Sequence, residues 1–513
     1  MRFLAVRFSL LLLVWHALTA AAVPGEFDRS FGQNGIATFP TEAGSAAYFI
    51  TNDSASRLLV TGKDRSNEFF ARLQPNGGLD PDFNGVGFVR GVANGIDSFG
   101  DTLLGHTGQW ISQLAGGQLL ATRVDITSCS VTICRFRSQT IRARRFNPDG
   151  SAVNAANADV VVTGGFRPTQ VVEQTGSGLV FITSVIYYLD GVTQLARLGE
   201  NGLVDPSFAA NAKVRESCRR LPGDNGFRLS SGTALGLAGG KILLAQHISF
   251  LGAGAGNLCI SRLNADGMLD QTYGSAGDLI LDSTMFTSAN NKPVALFATS
   301  NGGAALLLQQ TFREPVERYQ YLIVWLTAQG GVDTARPDQG ITVPTDLQIA
   351  IVTAATMQPD GKILIAGYPA IAATNANGAQ QIDYAQPRLR RLLQQGGHDL
   401  TFGPGGLGYT PMITLGKRLI ANHLHIGADG SIFIAGELAD AGPVATNEAR
   451  QFAVGKLQSD PASTSPPVSQ NNGGGGCGIT TGSRIDPILP GLAMLALLSL
   501  WLRRRGNHKI GKH

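Results

Sequence analysis

The stretch "FDRSFGQNG", residues 27–35, decides the fold, because it is the second half of a motif that recurs complete further along. A turn followed by a short apolar strand appears as "SRLLVTG" at Arg57, "GGQLLAT" at Gln118, "GSGLVFIT" at Gly178 and "GGKILLA" at Lys241. It returns as "GGAALLL" at Ala304, "DGKILIAG" at Lys362 and "DGSIFIAG" at Ser431, at intervals of about 60 residues. A second element trails each copy by one strand: "FFARLQPNGGLDPDFN", "IRARRFNPDGSAVN", "QLARLGENGLVDPSF", "ISRLNADGMLDQTYG", "VWLTAQGGVDTARP" and "RLRRLLQQGGHDLTFG". The seventh, "FAVGKLQSD", stops after its strand and lacks the D-x-x-F that should follow. The missing piece is the surplus at the other end, Phe27-Asp28-Arg29-Ser30-Phe31-Gly32. In a linear stack the first and last units never meet, so the permutation would serve nothing. In a ring the N-terminal fragment docks beside the last repeat and removes the open sheet edges.

The chain has 65 glycines, and short runs of Val, Ile and Leu are bounded by Gly, Asn, Asp or Pro, which is strand-and-turn punctuation. Each repeat supplies about four strands; in the first they fall near 35–40, 46–51, 57–62 and 68–73. The expectation is an all-β fold: a seven-bladed β-propeller of four-stranded blades over 23–457, closed by the N-terminal segment, with a C-terminal transmembrane helix. A Gly-rich β-solenoid is the other fold with this composition. The repeat exceeds the 40–50 residues of WD40 or kelch blades, so longer loops are expected.

The paired strings "PDGKILIAG" (359–367) and "RLNADGMLDQTYG" (262–274) resemble the bacterial delta-60 repeat family, over residues 27–457. The resemblance implies a propeller-like exported protein and brings no agreed activity. The second and fifth trailing elements depart from the pattern at Asn154 and Ala335.

Residues 1–22 read as a secretory signal, with Arg2 and Arg7 before a short apolar core and Ala20-Ala21-Ala22 for cleavage. Residues 458–476, "LQSDPASTSPPVSQNNGGGG" from its second residue onward, offer almost nothing to bury and read as a flexible tether. Cys477 follows, then an apolar run at about 487–502 and Arg503-Arg504-Arg505. By the positive-inside rule the arginines stay cytoplasmic and the body lies outside. The segment 477–513 resembles C-terminal sorting tails of the JDVT-CTERM or MYXO-CTERM kind. That implies export machinery and an intramembrane sorting protease as partners, and Cys477 as a site of processing or lipid attachment. A permanent single-pass anchor is the alternative. Such a protein is exported, anchored by its C-terminal helix, and then held at the cell surface or released.

The targeting ends carry the basic excess: between them lie 33 basic and 36 acidic residues, so no general attraction to nucleic acid follows. Four cysteines remain, Cys129, Cys134, Cys218 and Cys259. An exported chain can oxidise them, with Cys129 and Cys134 stapling one loop and Cys218 available to Cys259. Zinc needs two close pairs, and one is present.

The Asp-Gly pairs at 149, 266, 360 and 429 are hairpin turns, since calcium loops alternate several oxygen ligands before their glycine. The D-x-x-F groups, Asp28/Phe31, Asp80/Phe83, Asp205/Phe208, Asp270/Tyr273 and Asp399/Phe402, recur in most repeats. A catalytic residue would occur once, so the aromatic is expected to plug the seam between blades while Asp satisfies nearby backbone donors. His423 and His425 share a strand face and could touch one metal, but no third ligand is visible, and an ordinary strand with two polar residues on its exposed face is the favoured reading. "RLRRLLQQ" (388–395) reads as a solvated edge or a basic anchor. "LGAGAG" (251–256) has no helix behind it to aim at phosphate, and no G-x-S-x-G, H-E-x-x-H or Walker motif occurs in the body. No catalytic residue, cofactor or metal ligand is assigned. The leading expectation is a non-enzymatic module that binds a protein or glycan through loops on one face. An extracellular hydrolase or lyase acting on a polymer is the second, and a purely structural surface role the third.

Overall fold

The computed structural model describes residues 23–460 apart from 65–66, 92–109, 115, 128–137, 154–157, 163–166, 175–177, 188–189, 200, 202, 209–212, 215–226, 251–256, 283–284, 287–289, 313–317, 345–346, 375–379, 385, 415 and 441–448. The chain divides into two units, Met1–Pro461 and Ala462–His513, and all described residues belong to the first. No described helix is long and apolar enough to cross a membrane. The signal, Cys477 and the sorting tail lie outside the described residues.

The described strands form antiparallel meanders. Sheet 1 is Ala46–Asn52, Leu58–Asp64, Asn67–Leu73 and Phe88–Arg90, in that order. Sheets 2 (110–162), 3 (167–214), 4 (227–281) and 5 (290–342) repeat the plan with four strands each. Sheet 6 is Ile351–Met357, Ile363–Tyr368, Arg388–Leu392 and Tyr409–Pro411; a ribbon, Ala370–Thr374 paired with Gln380–Ile382, is inserted after its second strand. Sheet 7 runs Ile413–Thr414, Lys417–Ile426, Ile432–Asp440 and Gln451–Leu457. Its outermost strand is Ile36–Thr38, paired Ile36 to Gly455, Ala37 to Val454 and Thr38 to Ala453. The segment 35–40, expected as the first strand of the first repeat, therefore completes the last sheet. The fourth strand of sheet 1 is instead the three-residue Phe88–Arg90, hidden in the sequence behind the D-x-x-F turn.

A sheet stacked between two neighbours buries both faces, which is why its central strands are apolar runs without alternation. Leu58–Val60 and Phe69–Ala71 are almost wholly buried. A separate apolar cluster fills each interface. Sheet 1 meets sheet 2 through Phe49, Leu59, Phe83 and Ile111, sheet 2 meets sheet 3 through Leu120 and Leu179, and sheet 3 meets sheet 4 through Val180, Phe208 and Leu244. Tyr273 and Leu306 join sheets 4 and 5, Trp325 and Ile365 join 5 and 6, and Leu364, Phe402 and Leu419 join 6 and 7. Phe31, Phe452 and Val60 then join sheet 7 back to sheet 1. Stacked meanders that return to their starting point make a β-propeller.

Most strands nearest the axis share a distortion. Six of the seven carry a register shift: Ala47/Phe49, Pro168/Gln170, Ser230/Gly232, Pro293/Ala295, Val352/Ala354 and Ala421/His423, while the described part of the seventh, Trp110–Gln113 of sheet 2, pairs in regular register. A bulge sharpens local twist and bends the strand. In sheet 7 it also makes a contact, because Asn422 Nδ2 donates to the Ala47 carbonyl of sheet 1 at 2.8 Å.

"RLRRLLQQ" is not an edge. Arg388–Leu392 lies between Ile363–Tyr368 and Tyr409–Pro411, and Arg390 and Arg391 are buried. The short fourth strand Tyr409–Pro411 takes the outer position and covers it.

The turn glycines have two jobs. Gly150 adopts φ +82°, and a Cβ there would meet the Phe83 ring of the preceding sheet at 2.8 Å. Gly150→Val is expected to cost about 2–4 kcal/mol, from backbone strain together with overpacking, read as a lower urea midpoint. Gly116→Val, with nothing near its Cβ and no positive φ, is the control and should change stability little.

Candidate functional site

The D-x-x-F turns all lie at one end of the ring, where each third strand turns into its fourth. In each motif the aspartate accepts a backbone hydrogen bond from the residue two ahead: Ser30 at 3.0 Å, Asp82 at 3.1 Å, Ser207 at 2.9 Å, Thr272 at 3.1 Å and Thr401 at 3.1 Å. The aromatic at the fourth position is buried: Phe31, Phe83, Phe208, Tyr273 and Phe402 are all 4% exposed or less. Its neighbour's N–H donates across the seam to the next sheet's turn. Gly32 reaches the Asn76 carbonyl at 2.7 Å, Asn84 the Asp149 carbonyl at 2.5 Å and Gly274 the Gln329 carbonyl at 2.8 Å. At the sixth seam Gly403 donates to the Pro24 carbonyl at 2.8 Å, so Pro24-Gly25 supplies the turn missing from the seventh repeat.

A second component escaped sequence reading. Eight residues before four of these aspartates stands an arginine on the third strand. Arg72 Nε binds Asp80 at 2.6 Å, Arg197 Nη2 binds Asp205 at 2.5 Å, Arg262 Nε binds Asp270 at 2.7 Å and Arg391 Nη2 binds Asp399 at 2.9 Å. Each guanidinium also lies over its motif's ring, 5.0 Å from Phe83, 4.6 Å from Phe208, 4.6 Å from Tyr273 and 4.6 Å from Phe402. The free end of the fork reaches the next sheet: Arg72 donates to the Pro148 carbonyl, Arg197 to that of Ala265 at 2.7 Å and Arg262 to that of Ala328 at 2.5 Å. One planar cation thus pairs with a carboxylate, stacks on a ring and bridges two sheets, which the fork geometry of arginine permits.

The two irregular copies keep parts of this clamp. In sheet 5 the cation and the aromatic exchange places: Trp325 occupies the strand position, Arg336 the turn position, and the guanidinium lies 3.9 Å from the indole. Arg336 still reaches the next sheet, donating to the Gln394 carbonyl at 3.0 Å. In sheet 2, Arg145 donates to the Asn201 carbonyl at 3.2 Å, while Asn154 lies outside the described residues. In sheet 7 the pair joins the two ends of the chain, Lys456 Nζ to Asp28 at 2.9 Å.

These contacts hold Asp205, Asp270 and Asp399 ionised. A hydrogen bond from the Ser207 hydroxyl and the Arg197 fork bring Asp205 down to about 2. The Lys241 ammonium and the Thr272 hydroxyl hold Asp270 well below the ordinary carboxylate range. For Asp399 burial pulls upward, and the Thr401 hydroxyl with Arg391 outweighs it, leaving the group lowered. A carboxylate whose folded pKa is depressed stabilises the fold above its unfolded value of about 4 and loses that contribution as pH falls toward the folded value. Stability is therefore expected to hold down to about pH 4 and to drop between about pH 4 and 2, measured as the urea midpoint across that range. Asp205→Asn should flatten the slope.

The other residues singled out from sequence are dispersed. His423 and His425 do share a face, but it is packed against sheet 1, not exposed. Ile50 N–H donates to His423 Nδ1 at 3.4 Å, the imidazole lies 4.5 Å from Phe49, and His425 Nε2 lies 2.5 Å from Asn52 Oδ1. Burial lowers the His425 pKa. Among the described residues no group of three His, Cys, Asp or Glu is placed to hold a metal. The Asp-Gly turns have positive φ at Gly150, Gly267, Gly361 and Gly430, with each Asp accepting from the residue two ahead. Cys259 is buried and disulfide-bonded. Cys129, Cys134 and Cys218 lie outside the described residues, as does "LGAGAG".

At the opposite end the connections differ from sheet to sheet. Antiparallel order puts the second-to-third connections there, together with those leading to the next sheet. They span 64–67 in sheet 1, 127–138 in sheet 2, 368–388 in sheet 6 and 440–451 in sheet 7, with 90–110 and 214–227 between sheets. At the clamped end the first-to-second turns are short throughout, 52–58, 236–242, 298–304, 357–363 and 426–432 among them. The ribbon after Tyr368 is rooted at the variable end by Tyr368, Ile420 and Ala439 packed with Ile351 and Ile382. Tyr384 leans on Tyr368 at 5.0 Å between ring centres and is 38% exposed.

A family described as a domain of unknown function (DUF5122) β-propeller matches residues 358–380, which take in the first-to-second turn and second strand of sheet 6 and the first strand of its inserted ribbon. No curated protein sequence matches the chain. Among solved structures the chain is similar to polysaccharide lyase Uly1, at 11% identity and a TM-score of 0.44, covering 86% of this chain and 94% of that one. It is also similar to the α-L-arabinofuranosidase Arb93A from Fusarium graminearum, at 9% identity and a TM-score of 0.38, covering 69% and 93%. Prolyl oligopeptidase B from Galerina marginata is similar at 9% identity and a TM-score of 0.40, covering 80% of this chain and 51% of that one.

Proposed function

We propose that this chain is an exported, seven-bladed propeller that acts as a binding module without chemistry of its own. It carries a C-terminal sorting tail with a membrane-spanning helix, and it engages a protein or glycan through the variable end of the ring. The observation that carries this reading is the division of labour between the two ends. The motif carboxylates and cations at the clamped end are occupied with one another and with backbone across the seams. At the other end the described strands are joined by connections of differing length, and a rigid scaffold can present such connections to a ligand. Tyr384, exposed at the root of the ribbon, offers an aromatic surface of the kind that protein and sugar ligands both use.

The test is a glycan and peptide array probed with the purified chain, followed by product analysis on whatever binds. Saturable binding without bond cleavage, lost when the ribbon 370–382 is replaced by a short Gly-Ser turn, is the expected result. Release of new reducing ends or unsaturated sugars would replace this reading with that of a polymer-acting enzyme.

A further inference from the structure

We propose that residues 458–460 form a strap that latches the end of the propeller body onto sheet 6 and thereby holds both ends of the body in the ring. At four seams a clamp arginine donates to a backbone carbonyl two residues past the next sheet's third strand: Pro148, Ala265, Ala328 and Gln394. At the sixth seam that place falls in the chain's final turn, at Ser459, and the clamp takes a carboxylate instead. Arg391 Nη1 donates to Asp460 Oδ2 at 2.7 Å and Nη2 to Oδ1 at 2.8 Å, a bidentate pair. Lys362 Nζ lies 3.5 Å from the same carboxylate. The Arg391 side chain is fully buried while that of Asp460 is 32% exposed, so the carboxylate closes the site from outside.

The strap also grips the other end of the chain. Gly25 N–H donates to the Gln458 carbonyl at 3.0 Å, and Gln458 N–H donates to the Glu26 carbonyl at 2.8 Å. Gly25 in turn sits against the Phe402 ring, where a Cβ would lie 2.5 Å from the nearest ring carbon. Asp460 therefore holds Gln458 in place, Gln458 holds Pro24–Glu26, and that segment completes the seam of sheets 6 and 7. Cutting the tether beyond the strap leaves the ring closed; cutting ahead of Asp460, or removing its charge, frees the N-terminal segment. The latch thus sets the upstream limit for releasing the body intact by proteolysis.

The experiment uses the whole chain in detergent, with a sequence-specific protease site placed either after Leu457 or within 462–470. Digestion of 23–40 by a non-specific protease and the thermal midpoint are then read before and after the cut. Cleavage within 462–470 should change neither. Cleavage after Leu457 should speed digestion of 23–40 by about tenfold or more, as expected when local opening loses two charge-assisted hydrogen bonds. Asp460→Ala in the uncut chain should do the same, with Asp460→Glu falling between it and the native chain. Should Asp460→Ala fold poorly, the two cut sites in the native sequence still separate the outcomes. Equal digestion rates after either cut, or an Asp460→Ala chain digested at the native rate, would overturn the latch.

Discussion

A chain lacking residues 23–38 is expected to lose cooperative unfolding and to aggregate, the largest effect of any change considered. The deletion removes Phe31 and Ile36, both essentially unexposed, from the interfaces on either side of sheet 7. Deleting buried side chains of this size costs about 3–5 kcal/mol for Phe and about 2–5 for Ile. Together these rival the 5–15 kcal/mol total stability of a typical folded protein. It also strips Ile36–Thr38 from Gln451–Leu457 and leaves that strand as an open edge, a template for pairing with other chains. Size-exclusion chromatography and chemical unfolding check the outcome: a monomer with a native-like single transition would count against closure by this segment. Trimming only the first 22 residues should leave the transition unchanged.

The second large effect is expected at an internal clamp. Arg72→Ala removes a cation that is 3% exposed and pairs with Asp80, itself 6% exposed, while stacking on Phe83 and bridging to Pro148. Removing one partner of a buried pair strands the other charge, at a cost of about 3–5 kcal/mol. Arg57 lies 3.5 Å from Asp80 and can take up part of the charge, which favours the lower end of that range. Arg72→Ala combined with Asp80→Ala should cost less than the two single losses added, because the stranded charge is gone. Urea midpoints for the four chains of the cycle decide it, and a loss below about 1 kcal/mol for Arg72→Ala would reduce the clamp to an ordinary surface pair.

How much of this was visible in the sequence depends on what each residue must do alone. The closing segment was legible because a half-motif has meaning only where the two ends meet, and Phe31 with Asp28 repeats Phe83 with Asp80. The clamp arginines were not. Each acts with an aspartate eight residues later, across a turn whose residues vary, and sheet 5 exchanges the two roles between Trp325 and Arg336. The fourth strands escaped notice because three residues such as Phe88–Arg90 are too few to show a period. Placement also misled: Arg390 and Arg391 looked like an exposed edge, and His423 and His425 like an exposed face. A strand's own residues do not state which neighbour covers them. The bulges near the axis left no signature because the extra residue differs in each, Tyr48, Val294, Thr353 and Asn422 among them.

The central claim is that the two ends of the body meet in one sheet. Pairing Ala37→Cys with Val454→Cys tests it most directly, since these positions face each other across antiparallel strands at a separation a disulfide can span. Closure predicts a spontaneous, reducible crosslink that shifts electrophoretic mobility under denaturing conditions and leaves the native fold intact. Two free thiols in a folded, oxidised sample would contradict it.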